Sequence, residues 1–190
     1  MTTNTVATLA PQPSPDVAPP PDVAAAARTA TFSNLGPIHI PHFGAASPYG
    51  SEITVTGVRG QLTKVTPVLF GFSHGLVADV DVLLVGPSGA AVVLMSSGGG
   101  EVRVTDATYA FDDERAPMPQ SDAPASGVYE AAGNDSDHDF SGPAPAGPYG
   151  ESLRAFEGLD PNGVWKLFVQ DRFPGFGGSI GSWSLTIETA

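Results

Sequence analysis

From residue 30 onward, apolar and polar residues alternate in short runs, which is the period of a strand with one buried face and not the 3.6-residue period of a helix. Ile53 and Val55 alternate with Thr54 and Thr56. Trp165, Leu167 and Val169 alternate with Val164, Lys166 and Gln170, and Trp183, Leu185 and Ile187 alternate with Ser182, Ser184 and Thr186. With glycines at 175, 177 and 178 between them, the last two runs predict a β-hairpin that carries both tryptophans into a core. Val82-Leu-Leu-Val85 is apolar on both faces and predicts a central strand, and Gly86-Pro-Ser-Gly89 turns it into a second hairpin with Ala91-Val-Val-Leu-Met95.

The full pattern predicts strands at 30–34, 38–40, 51–58, 62–73, 78–86, 91–97, 104–112, 126–131, 164–170 and 178–188. One short helical turn is expected at 151–156, and 115–150 reads as surface loop because it is long and polar. Short strands at this spacing describe an all-β sandwich or jelly roll. Residues 1–29 are different material. Pro11-Gln-Pro-Ser-Pro15 and Pro19-Pro-Pro21 forbid regular ladders, and few large apolar side chains accompany them. That segment predicts an extended linker, with the folded domain at 30–190.

Composition supports this division. Gly at 23, Pro at 19 and a charged fraction of 15% favour turns over helices. Lys and Arg number 8 against 20 Asp and Glu, and the net charge of -12 argues against nucleic acid and against anionic lipid surfaces as partners. With no cysteine, disulfides, thiolate metal sites and cysteine nucleophiles are excluded. No apolar run approaches the roughly 20 residues of a membrane helix. The first residues, Met1-Thr-Thr-Asn-Thr5, lack the basic flank and apolar stretch of a secretory signal.

Candidate chemistry is sparse. Ser73, His74 and Asp79 could be imagined as a hydrolytic triad, but they crowd into seven residues around one turn, and no serine has the glycine-flanked context of a subtilisin-type nucleophile. His39, His42, His74 and His138 show no paired zinc spacing. The strand-end carboxylates say more. Asp79 and Asp81 should share a strand face with Leu83 and Val85, Asp112 and Asp113 end a second strand, and Asp171 ends a third. If these ends meet at one rim, five carboxylates would offer the oxygen-rich cage that Ca²⁺ takes; the alternative is that they accept backbone N–H groups in turns. Asn134-Asp-Ser-Asp-His-Asp139 has a calcium-loop rhythm but lacks the EF-hand glycine and bidentate Glu, and reads as a solvated acidic loop. Tyr49, Phe173 and Phe176 fall in predicted loops, where aromatics either stack on sugars or cap a core.

Several motifs in order carry a resemblance. They are 32–40, Gly44-Ala-Ala-Ser-Pro-Tyr-Gly-Ser-Glu-Ile-Thr-Val-Thr-Gly57, Asp79-Val-Asp-Val-Leu-Leu-Val-Gly-Pro87, Phe111-Asp-Asp113, Ser126-Gly-Val-Tyr129, Ala144-Pro-Ala-Gly-Pro-Tyr-Gly-Glu-Ser-Leu153 and Asp160-Pro-Asn-Gly-Val-Trp-Lys-Leu-Phe-Val-Gln-Asp171. Together, over roughly residues 30–190, the chain resembles the P (Homo B) domain that follows the catalytic domain of kexin and furin-like proprotein convertases, in its bacterial form. It departs at His42, where bacterial relatives tend to carry an aspartate, and it carries no catalytic domain. The resemblance implies a jelly-roll β-sandwich that is exported to the extracellular space or cell surface. It also implies a non-catalytic role, stabilising, positioning or tethering a subtilisin-like protease or another exported partner. Two other classes stay open: a calcium-dependent adhesion or carbohydrate-binding module, and, by family association only, a serine endopeptidase.

Overall fold

The computed structural model describes residues 28–133 and 139–190. The expected linker, except Arg28 and Thr29, and most of the acidic loop, including Asp135, Asp137 and His138, lie outside the described residues. Two β-sheets face each other, and the described residues also form two 3₁₀ segments.

The first sheet holds β1 (Arg28–Asn34), β13 (Ser182–Thr189), β5 (Leu62–His74), β12 (Gly178–Ile180) and β2 (Ile38–Ile40) in that order, and β8 (Val104–Phe111) also pairs with β5 and with β9 (Gly127–Tyr129). The second runs β10 (Ala132–Gly133), β7 (Ala91–Ser96), β6 (Val80–Val85), β11 (Gly163–Asp171) and β3 (Gly44–Ala45), with β4 (Ser51–Val55) also on β11. The 151–156 turn forms as a 3₁₀ segment, Leu153–Phe156. No helix among the described residues is long and apolar enough to cross a membrane.

The predicted C-terminal hairpin does not form. β11 pairs β6 and β4 in one sheet while β13 pairs β5 and β1 in the other, so Trp165 and Trp183 reach the same core from opposite sides. The predicted 178–188 strand breaks at Gly181, and its first part, β12, pairs β2 and β5. Alternation alone registers a buried face and not the sheet that supplies it, which is why the two cases look identical in sequence. Both indoles are fully buried; Trp165 Nε1 donates to the Pro161 carbonyl at 2.9 Å and Trp183 Nε1 to Ser51 Oγ at 2.9 Å. The second of these bonds ties the two sheets together.

β6 behaves as its apolar run predicts, and β6 and β7 form the expected hairpin. Val82 and Leu84 face the main core, whereas Leu83 and Val85 face outward under Phe140, Ala144 and Tyr149. Part of the 115–150 segment, expected to be surface loop, is therefore a cover for a second small core. The aromatic spacing of that segment is the signal that its polar composition masked.

Candidate functional site

The long strands run end to end through the sandwich, so each end collects a distinct set of side chains. At one end β5 finishes at His74, β11 at Asp171, and β6 begins at Val80 opposite Asp171. At the other end β5 begins at Leu62, and Asp112 and Asp113 follow β8 beside the Leu153–Phe156 turn.

His74 and Asp171 point inward from the two different sheets and are both buried. His74 Nε2 stands 3.1 Å from Asp171 Oδ2, and the other carboxylate oxygen accepts the Phe173 N–H at 2.9 Å. The Nδ1 side of the ring closes on the Leu76 peptide, with the carbonyl oxygen at 2.6 Å and the amide at 3.2 Å. Neither ring nitrogen meets a hydroxyl. Ser73 Oγ, next in the chain, accepts the Asp106 amide at 2.9 Å. The Ser73, His74, Asp79 grouping is thus not a hydrogen-bonded relay in this geometry.

Asp79 falls in a 3₁₀ turn (Val77–Asp79) ahead of β6, so the strand alternation that would place it on the face of Asp81 does not reach it. Burial, and then the Asp171 charge, raise its carboxyl above the ordinary carboxylate value, with His74 opposing them. Asp81 shares a face with Leu83 and Val85 as expected and is fully buried there. Gln170 Nε2 donates to it at 3.4 Å and Arg172 Nε stands 3.6 Å away.

Asp112 and Asp113 lie at the far end. Burial pushes Asp112 up, but the Glu114 amide and the Lys64 ammonium, 3.0 Å away, outweigh it and hold the carboxyl below its usual value. Asp113 caps the 3₁₀ turn, accepting Ser152 Oγ at 2.6 Å, Leu153 N at 3.1 Å and Arg154 N at 3.1 Å. Asp112 and Asp113 lie at the pole where β5 begins, whereas Asp79, Asp81 and Asp171 lie at the pole where β5 ends and β6 begins, so the five carboxylates do not share one rim. Among the described residues no three His, Asp or Glu side chains stand together as a metal site.

What does gather at the His74 end is aromatic. The loop between β2 and β3 and the loop between β11 and β12 bond to each other, His42 O accepting Gly175 N at 3.2 Å and His42 Nδ1 lying 3.3 Å from Gly175 O. Phe43, Phe173 and Phe176 project from these loops and are 63%, 53% and 44% exposed. The Arg172 guanidinium stacks on the Phe173 ring at 5.6 Å. Phe176 lies over Gly75, where a Cβ would overlap its ring, so the glycine makes the rim possible. Sequence reasoning found Phe173 and Phe176 but missed Phe43; the short β3 that turns it outward has only two residues and no periodic signal. Tyr49 is not part of the rim, since its ring packs edge-on against Phe168 at 5.1 Å.

With this architecture in view, the comparison with known families is decisive: the proprotein convertase P-domain family matches residues 63–187, well over half of the chain. The chain belongs to the proprotein convertase P-domain family. No curated protein matches this P domain. Among solved structures it is similar to a serine protease of Aeromonas sobria, at 12% identity and a TM-score of 0.43, and to the same protease in complex with the chaperone ORF2, at 16% identity and 0.43. The alignments cover 86% and 85% of this chain but only 26% of each of those chains, so this chain spans about a quarter of their length.

Proposed function

We propose that this P domain is a non-catalytic, exported accessory module that packs against a subtilisin-like protease catalytic domain and stabilises or positions it. Family membership supports the protease association. The observation that carries the finer reading is the rim of Phe43, Phe173 and Phe176, three large apolar side chains held on mutually bonded loops at one pole. Exposed aromatic groups on a preorganised surface are what a protein interface uses as anchors, since they bury much area at little entropic cost. The chemistry of the interior supports the non-catalytic part. The described histidine with a carboxylate partner is His74, which is sealed from solvent and has no nucleophile beside it.

The test tethers the chain to a subtilisin-like catalytic domain and measures the half-life of peptidase activity on heating. The half-life should be longer than that of the catalytic domain alone. The Phe43→Ser, Phe173→Ser, Phe176→Ser triple variant should lose that gain while the isolated variant melts within a few degrees of the parent. An unchanged half-life in the triple variant would remove the rim from the interface, and peptidase turnover by the isolated chain that disappears in His74→Ala would overturn the non-catalytic assignment.

A further inference from the structure

We propose that the mouth of the seam between β1 and β4 is a strand-addition groove for an extended peptide with apolar inward positions and an acidic side chain at the end that lies beside Arg28. This goes beyond the accessory role and does not depend on it. β1 is an edge strand: all seven residues pair with β13, Arg28↔Thr189 through Asn34↔Trp183, and its other edge is unpaired among the described residues. It carries none of the usual guards of an exposed edge, having no proline, no bulge and only Arg28 as a charge.

The seam is shut at one end and open at the other. Asn34 Nδ2 donates to Ser51 Oγ at 3.2 Å and to the Glu52 carbonyl at 2.8 Å, pinning the end of β1 to β4 of the opposite sheet. Towards Arg28 the two edges part around a groove of about 440 Å³. Ala30, Phe32 and Val58 line it, and Phe32 and Val58 are half-buried against the main core. Arg28 and Arg59 both lie at its Thr189 end and are exposed, and neither makes an ion pair with a described residue.

The wall is preformed. Asn162 clamps Val58 in both directions, accepting its N–H at 3.0 Å and donating to its carbonyl at 2.8 Å, and Thr189 Oγ1 donates to the Arg59 carbonyl at 2.8 Å. A strand laid along β1 would take its backbone hydrogen bonds from the free edge and set alternate side chains on the apolar floor. The two guanidiniums then select a carboxylate at that one end of the peptide, whichever way the added strand runs. The overall charge of -12 opposes an acidic ligand, but at physiological ionic strength charges beyond about 8 Å are largely screened, so the local arginine pair decides.

The experiment titrates the full chain with the blocked peptide acetyl-Glu-Val-Thr-Val-Thr-Val-Glu-amide and follows backbone amides by two-dimensional NMR. The amides of residues 28–34 that point away from β13 should shift and gain protection from exchange. A peptide with Lys in place of both Glu should bind about tenfold more weakly, and the Arg28→Glu, Arg59→Glu variant should reverse that preference. The Glu peptide methylated on alternate backbone nitrogens should not bind, because it keeps the charge and loses the ladder. The proposal is overturned if the 28–34 amides that point away from β13 are unmoved at millimolar peptide, if the Lys or the methylated peptide binds as tightly, or if those outward amides are already protected without peptide. In that last case a concentration-dependent dimer would identify a second copy as the occupant, and a monomer would identify the chain's own N-terminal residues.

Discussion

His74 Nε2 and Asp171 Oδ2 meet 3.1 Å apart in the interior, one from each sheet, and so form a polar rivet through the sandwich beneath its aromatic rim. Such a pair costs desolvation on both sides, and removing one member strands the other. His74→Ala should therefore lower stability by about 3–5 kcal/mol, measured by denaturant unfolding. The His74→Phe, Asp171→Leu double variant should lose clearly less than the sum of the single changes. Additive losses would mean that the two side chains are energetically independent.

Asp79 stands close to this pair, and its carboxyl is raised by burial and by the Asp171 charge. A raised acid is less favourably ionised in the folded chain than in the unfolded one. It therefore costs stability above its folded pKa, and the cost is gone below the unfolded value near 3.8. Asp79→Asn should raise the melting temperature at pH 7 by a few degrees at most and leave it unchanged near pH 3. A lower melting temperature at pH 7 would show that the carboxylate is a needed acceptor.

The Lys64 and Asp112 pair at the opposite pole works in the other sense. Asp112 is lowered, so its contribution is present above the unfolded value of 3.8 and lost as pH falls through the folded pKa. Lys64 is raised, chiefly by the Asp112 hydrogen bond, so its contribution is complete below 10.5 and lost as pH rises through the folded pKa. Lys64→Met should cost under about 1 kcal/mol between these limits, because the ammonium is partly exposed, and the cost should shrink as the pH falls through the folded pKa of Asp112. A cost that does not shrink on acidification would attribute the loss to packing.

The hydrogen bond from Trp183 to Ser51 has its own test. Ser51→Ala would leave a fully buried indole N–H without its acceptor, at a cost of about 1–3 kcal/mol in chemical denaturation. Trp165→Ala and Trp183→Ala should each cost about 3–5 kcal/mol. Tryptophan variants that melt like the parent would contradict the position of the indoles in the core.

Strand positions were largely legible in the sequence because a half-buried strand must alternate, as Ile53 to Val55 and Trp183 to Ile187 do. Strand partners were not. Trp165 and Trp183 look like two arms of a hairpin, and only the crossing of the chain between sheets separates them. The five carboxylates divide between two poles for a related reason. Their positions at strand ends were nearly right, but a strand has two ends, and no local pattern says which pole each occupies. Asp113, with three donors from Ser152, Leu153 and Arg154, is a turn acceptor of the kind a short polar loop always needs.

The antiparallel pairing of β1 with β13 sets Arg28 across from Thr189, so the chain enters and leaves the sandwich at one pole. The aromatic rim lies at the other, beyond the thirteen residues of β5, a distance of about 43 Å at the rise of a strand. A module joined directly after Ala190 would therefore sit at the pole away from the phenylalanines. To reach them on the same polypeptide it needs a tether of at least about 13 extended residues, whereas a partner on a separate chain meets no such limit.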